Sequence, residues 1–431
     1  MNIRFYNARI LSMKEEEPIF EGELWVEGDR ISKVIPKGDG TPVNGIPKWD
    51  REVDVSKNLL MPGFKNAHTH TAMTFLRSFA DDLPLDKWLN EKVFPMEALL
   101  TGEDIYALTR HGILEYLTSG ITAAFDMYMK TDMIARAAID SGFRMVQVGS
   151  INNFGGTVDD CEKEYKYLNS LDDLSSYVFG FHAEYTTSRE IMQGIANLSY
   201  TYKAPVYMHS SETKSEVEGC MERYHLTPTK LFDELGLYDY GGGGYHCVWM
   251  DDEDLDIFKE KGLSVVTNPS SNAKLASGIA PLSKMMDMGI NIAIGTDGAA
   301  SNNALDMFRE MYLSSALAKL RENDASAMDA ADVLRMATVG GAKAMFLDDC
   351  DTLEEGKKAD IIMIDMTRPN MQPENNIEKN IVYAGSKENV KMTMINGKVL
   401  YEDGKFIGSD LMAINEQAND IIKRMRMEKG I

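Results

Sequence analysis

An α/β fold, a (β/α)8 barrel carrying a small β-sandwich domain built from both chain ends, is what this sequence predicts, and three observations predict it. Eight short apolar runs alternate with longer helical patterns through the middle of the 431-residue chain. Both ends of the chain read instead as short strands joined by tight turns. Histidines or aspartates, residue types that ligate metals, fall near the C-terminal ends of six of the eight central runs, where barrel enzymes carry their chemistry.

Residues 1–60 open the sandwich domain: "GELWVEG" and "RISKVIP" meet at Gly28-Asp29, a turn pair of the hairpin kind. Residues 61–349 are read as the barrel, whose eight runs, the first starting two residues earlier, are "LLMPGFKNAH", "GITAAFDM", "FRMVQVGS", "YVFGFHAE", "APVYMHSS", "GGGYHCVWM", "LSVVTNPSS" and "INIAIGTDG". Amphipathic stretches such as "SKMMDMGINIAIGTDG" lead through a glycine or polar break into the next run, the signature of β-then-α units. Residues 350–410 return to strands: "ADIIMIDM" has a buried-strand pattern, and "NVKMTMINGKVLYEDGKFIG" sets Asn396-Gly397 between two alternating runs. The two β-rich ends are expected to meet in one domain, and residues 411–431 read as a closing helix. The 29 methionines are scattered, as core gap-fillers are.

With 67 acidic against 45 basic residues, the formal charge of −22 repels nucleic acid and anionic membranes, and there is no basic tract. No run of about 18 uncharged apolar residues occurs, and the N-terminus shows no signal-peptide pattern. Four dispersed cysteines without a CxxC pair suggest neither disulfides nor a cysteine zinc site. A cytoplasmic protein acting on a small neutral or cationic molecule fits these traits; a homo-oligomer is compatible with them.

The chemistry begins at "FKNAHTH". Side chains alternate along a strand, so His68 and His70 project the same way and can share one ion. Seven histidines placed at random in 431 residues would give such a pair only about 0.1 times. His209 ends the fifth run, His246 lies in the sixth, and Asp297 ends the eighth. His68, His70, His209 and Asp297 are therefore read as ligands of one divalent metal, Zn2+ or Fe2+, with a position left for water. Glu212, three residues after His209, can shuttle a proton to that water's neighbourhood; the plainer reading is an acid favoured by a helix N-terminus. His246 can hydrogen-bond the nucleophile or the developing oxyanion, against the plainer reading of a core histidine. Asp126 reads as a structural acid, His182 as a core or strand-end residue, and His111 and His225 as packing or solvent residues. "NPSSNAKLASG" is expected to form a rim loop bringing Asn272 near the substrate. Gly241 to Gly244 read as a strand entry, since no Gly-Lys-Ser/Thr follows them.

Together, "PGFKNAHTH", "MTFLRSFADDLPLDKWLNEKVFP", "HSSET", "HCVWMD", "NPSSNAKLASGIAPLSKM" and "GTDGAASNNALDMF" resemble the amidohydrolase superfamily. Within it, they resemble the methylthioadenosine/S-adenosylhomocysteine deaminases. That resemblance implies the same ligand set, Glu212 as proton shuttle, and His246 assisting at the hydroxide. It also implies Trp88 and Glu97 as nucleoside contacts, the glutamate gripping ribose hydroxyls. It implies attack of metal-bound hydroxide on the amine-bearing ring carbon of an adenosine-type nucleoside, with Asp297 taking the water proton and ammonia leaving. The alternative is a deaminase or chlorohydrolase of a guanine, pterin or triazine. Two departures stand out. In "FHAEYTTS" Glu184 takes the slot that presents a histidine to the base in relatives. "VQVGSINNFGGTVDDCEKEY" is acidic and lacks arginines to clamp a homocysteine carboxylate, which favours a neutral nucleoside over S-adenosylhomocysteine. The fourth run also lacks a lysine, which favours one metal over a carbamate-bridged pair.

Overall fold

The computed structural model describes residues 1–15, 17–38, 47–83 and 87–430; Pro84, Leu85 and Asp86 of the segment quoted before Trp88 lie outside them. Five strands come first: β1 (Asn2–Ile10), β2 (Phe20–Glu27), β3 (Arg30–Pro36), β4 (Arg51–Asp54) and β5 (Asn58–Pro62). Gly28-Asp29 turns β2 into β3, with Gly28 at φ +66°. Then come β6 (Phe64–Thr69), β7 (Ile121–Asp126), β8 (Arg144–Val148), β9 (Ser175–Ala183), β10 (Val206–Ser210), β11 (Gly242–His246), β12 (Ser264–Thr267) and β13 (Asn291–Ile294). The chain ends with β14 (Ile361–Asp365), β15 (Val390–Ile395), β16 (Lys398–Glu402), β17 (Lys405–Phe406) and a helix over Leu411–Lys429. Among the described residues no helix is long and apolar enough to cross a membrane.

The two chain ends share one nine-stranded mixed sheet, in the order β17-β16-β15-β14-β5-β1-β2-β3 with β4 on β1. Where a sandwich was expected there is one continuous sheet; alternate residues of its two halves, Ile3 and Phe5 with Leu24 from one, Ile361, Met392 and Met394 from the other, bury in a single apolar cluster. Strands β6 to β13 form the second sheet, each parallel to the next. Its first and last members meet through the Asp297 N–H donating to His68 O at 3.0 Å. The Asn66 side chain adds two bonds, accepting from the Thr296 N–H at 2.8 Å and donating to Thr296 Oγ1 at 2.8 Å. The barrel is thus nearly closed, and the closing contacts lie beside the predicted ligands.

One boundary differs from the sequence reading. "LLMPGFKNAH" is two strands, because β5 pairs with β1 and β14 in the terminal sheet while β6 pairs with β7 in the barrel. The chain changes sheets at Gly63, where a Cβ would stand 2.1 Å from Thr122 Cγ2. Every residue of β5 and β6 is buried, so the apolar pattern runs straight through the switch and hides it. The glycines before Tyr245 do lead into a strand: a Cβ on Gly243 would meet Ser264 O at 2.0 Å, so neighbouring strands approach there as only glycine allows.

The sheet and barrel are joined by an ion pair. Arg144, opening β8, meets Asp360, just before β14, through Nε to Oδ2 at 2.9 Å and Nη2 to Oδ1 at 3.1 Å, with side chains 4% and 0% exposed. Losing one partner strands a buried charge, so Asp360→Ala is expected to destabilise the protein by about 3–5 kcal/mol. A shift of the urea unfolding transition checks this; an unshifted transition would show that the pair contributes nothing.

Candidate metal and catalytic site

The parallel barrel sends the C-terminal ends of its strands to one rim. His68 lies near the end of β6 and His70 just beyond it, with ring centroids 4.9 Å apart. His209, next to last in β10, brings its ring within 4.9 Å of His68 and 5.5 Å of His70. Asp297 follows β13 with φ +56°, and its Oδ1 stands 3.2 Å from His70 Nε2 and 3.6 Å from His68 Nε2. His246 ends β11, 5.4 Å ring to ring from His209. Two sets of candidate donor atoms, from His68, His70 and Asp297 and from His68, His209 and His246, lie within 4.8 Å of one another. All five sequence-predicted residues therefore converge.

The donor set suits a cation. His70 Nδ1 lies 2.6 Å from Met127 O, and His209 Nδ1 lies 2.8 Å from His182 O. A carbonyl oxygen only accepts, so Nδ1 donates in both and Nε2 is the atom turned to the cluster. His68 is fully buried, stacked on Tyr245 at 3.9 Å between centroids, and neither ring nitrogen has a hydrogen-bond partner. Two orphaned polar atoms are costly in a core unless a cation takes a lone pair. Burial pushes His68 down to about 3, and drives His209 well below the usual histidine range, so both rings stay neutral. Burial also works against protonation of His70, but its hydrogen bond to Asp297 outweighs this and raises the ring to about 9, so metal binding releases a proton there. Burial opposes ionisation of Asp297; the His68 and His70 rings beside it overcome that and hold it well below the ordinary carboxylate range. Ser271 Oγ and Ser301 Oγ donate to its Oδ2 at 2.6 and 2.8 Å, and the Gly298 N–H to its Oδ1 at 2.8 Å.

His70, His209, His246 and Asp297 line a cavity of about 830 Å³, with His68 buried behind them. Glu212 reaches it from the loop between β10 and the helix Lys214–Tyr224; its Oε1 accepts from Ser277 Oγ at 3.2 Å and its Oε2 lies 3.8 Å from His246 Nε2. Burial raises its carboxyl, so it can carry a proton more readily than an exposed acid. His246 Nδ1 meets Asn272 Oδ1 at 2.7 Å. Backbone strain marks the same spot, with His246 at φ +70° and Cys247 at φ +49°, conformations that cost about 1–3 kcal/mol each unless the surroundings impose them.

Trp88 and Glu97 both line the cavity. Glu97 ends the short helix Phe94–Glu97 and accepts from Tyr128 OH at 2.6 Å, and burial raises its carboxyl. Glu184 does not reach the cavity. Strand β9 ends at Ala183 and the chain turns into a 3-10 helix over Glu184–Thr186, which carries the carboxylate outward to Arg223, whose Nε donates to Oε1 at 3.1 Å. His182, read from sequence as a core or strand-end residue, makes a strand-end hydrogen bond, with Nδ1 2.8 Å from Thr186 Oγ1, and also lines the cavity. Asn272 belongs to a helix, Pro269–Lys274, where a rim loop was expected. Asp126 accepts from the Thr71 N–H at 2.6 Å and braces the turn after His70. Tyr128, Ser271, Ser277 and Ser301 went unread, because a single hydroxyl carries no spacing signal.

A nearly closed parallel barrel with a histidine-carboxylate metal site and a buried acid on its rim defines a barrel hydrolase. Residues 59–400 match the amidohydrolase family, and the chain belongs to that family. It is 37% identical over 437 aligned positions to the 5-methylthioadenosine/S-adenosylhomocysteine deaminase of Thermoanaerobacter pseudethanolicus, covering 98% of this chain and 100% of that one. It is 36% identical to the 5'-deoxyadenosine deaminase of Methanothermobacter thermautotrophicus, covering 90% of this chain and 91% of that one. Its fold is similar to that of an adenosine deaminase from Xanthomonas campestris with bound zinc, at a TM-score of 0.93 and 32% identity over 99% of this chain and 98% of that one.

Proposed function

We propose that the chain deaminates an adenosine-type nucleoside hydrolytically, 5'-methylthioadenosine, adenosine or a related compound, and releases ammonia. The observation that carries the reading is a buried, protonatable Glu212 beside His246 at the floor of a cavity whose wall presents Trp88 and Glu97. Supporting it are the deaminases among the relatives. His68, His70, His209 and Asp297 would hold one divalent ion; three imidazoles and a carboxylate suit zinc, the metal bound in the Xanthomonas neighbour. Bound there, it supplies Lewis acidity and lowers the pKa of a water towards 7.

The chain's own groups do the rest. Asp297, held in place by the hydroxyls of Ser271 and Ser301, takes up the proton that the attacking water sheds. Glu212 hands its proton to the ring nitrogen next to the amine-bearing carbon; the proton that Asp297 took up then passes to the amine, and as ammonia leaves the added hydroxyl gives its remaining proton back to Glu212. His246, oriented by Asn272, turns Nε2 towards the oxygen added at that carbon. Trp88 stacks on the nucleoside, Glu97 accepts from ribose hydroxyls, and His182 occupies the base-facing position that the sequence reading gave to Glu184.

The test is ammonia release by the zinc-loaded protein from 5'-methylthioadenosine, 5'-deoxyadenosine and adenosine, with guanine, a pterin and an aminotriazine alongside. Turnover confined to the last three would replace this reading. For ribosides, Glu97→Gln is expected to raise KM about 10–100-fold with kcat little changed, the loss of a hydrogen bond to a charged group. An unchanged KM would remove Glu97 from substrate binding.

A further inference from the structure

Glu212 stands on a stretch of chain that has lost its own hydrogen-bond ladder. Ser211 leaves β10 in the left-handed region at φ +52°, and the helix begins only at Lys214. Its main-chain amides therefore need partners from elsewhere. They find one carboxylate, Glu216, 4% exposed: the Ser211 N–H donates to Oε1 at 3.0 Å and the Glu212 N–H to Oε2 at 2.8 Å. Thr213 is the residue capping this helix, its side chain accepting from the Glu216 N–H at 3.2 Å. In a simple capping box the third helical glutamate bonds back to the cap's own amide. Here it reaches past the cap to the two residues before it.

The same stretch is tied to the loop that follows His246. Ser210 O accepts from the Cys247 N–H at 3.0 Å, and Ser211 O accepts from the Val248 and Trp249 N–H groups at 3.0 and 2.8 Å. The stretch with Glu212 and the chain that leaves β11 just after His246 are thus fastened to each other, and the first of them to one buried side chain.

We propose that Glu216 is a positioning residue: by committing both oxygens to the amides of Ser211 and Glu212, it sets where the Glu212 carboxyl stands beside His246. The inference rests on the proton-shuttle role proposed for Glu212. It requires a carboxylate, because two converging N–H donors need two acceptor oxygens. A glutamine of the same shape would turn an NH2 group towards one of the donors.

The test compares Glu216→Gln and Glu216→Asp with the wild type as zinc-loaded full chains. Glu216→Gln is expected to keep its metal content, lower kcat about 10–100-fold with KM within about twofold, and speed amide hydrogen exchange in peptides spanning residues 210–217. Glu216→Asp keeps two acceptor oxygens and is expected to recover most of the rate. In the Glu212→Gln background, Glu216→Gln should cost little more, since the group it positions is already disabled. Wild-type kcat and exchange in Glu216→Gln would overturn the proposal. So would a rate loss that merely tracks lost metal or lost folded protein. Exchange needs no substrate: a wild type inert towards every nucleoside would end the functional reading, while the exchange comparison would still decide whether Glu216 holds the loop.

Discussion

Glu212→Gln is expected to lower turnover of the best nucleoside by about 10³-fold while leaving the metal content and the thermal midpoint near wild type. The amide keeps the shape of the side chain and can still meet Ser277 Oγ, which lies 3.2 Å from the carboxylate now. What it loses is the proton. Burial already raises the Glu212 carboxyl, with the Asp297 charge adding to the effect and His246 opposing it. That combination makes a group that holds a proton more readily than an exposed acid does, and its neighbours do not replace it as the first donor: the Ser277 hydroxyl is too weak an acid, and Asp297 is held ionised in the resting site. Rates measured alongside elemental analysis decide the matter. A mutant that turns over at the wild-type rate with full metal would take the shuttle away from Glu212.

Stripping the metal with a chelator is expected to abolish turnover and to lower the thermal midpoint, and adding zinc should restore both. The stability arm follows from mass action: a ligand at 100 times its dissociation constant stabilises the state that binds it by about 2.7 kcal/mol. The structural arm follows from His68, whose two buried ring nitrogens have no hydrogen-bond partner. Without a cation they carry an uncompensated desolvation cost. His68→Ala should lose the metal-dependent shift entirely, which can be read by calorimetry without any substrate. Full activity in a chelator-treated protein shown by elemental analysis to be metal-free would remove the ion from the reaction.

Much of this site was legible because its chemistry obeys spacing. His68 and His70 sit two apart on a strand, His209 and Glu212 three apart across a strand end, and Asp297 follows a four-residue strand; periodicity places such residues without coordinates. The eight runs were legible for the same reason, since short buried strands between amphipathic helices leave a regular trace. What failed did so where the local geometry changes within a residue or two. Glu184 and His182 would share a face on a continued strand, but β9 stops at Ala183 and the turn carries Glu184 away. At Gly63 two buried strands abut, and the apolar pattern is blind to which sheet each serves. Glu216 was hidden for another reason: its partners are main-chain amides, which every residue has and no sequence pattern reports.

The passage of the chain through Gly63 also bears on how the molecule is assembled. β5 lies between β1, which precedes it closely, and β14, whose Ile361 pairs with Pro62. On a ribosome the second partner emerges only about 300 residues later, and so long a loop makes the pairing slow to form. The first stave of the barrel is therefore anchored during synthesis to a half-built platform, whose exposed edge stays open until the C-terminal segment is translated. Premature termination anywhere before residue 361 would leave that edge without its native cover, a template for pairing with other chains.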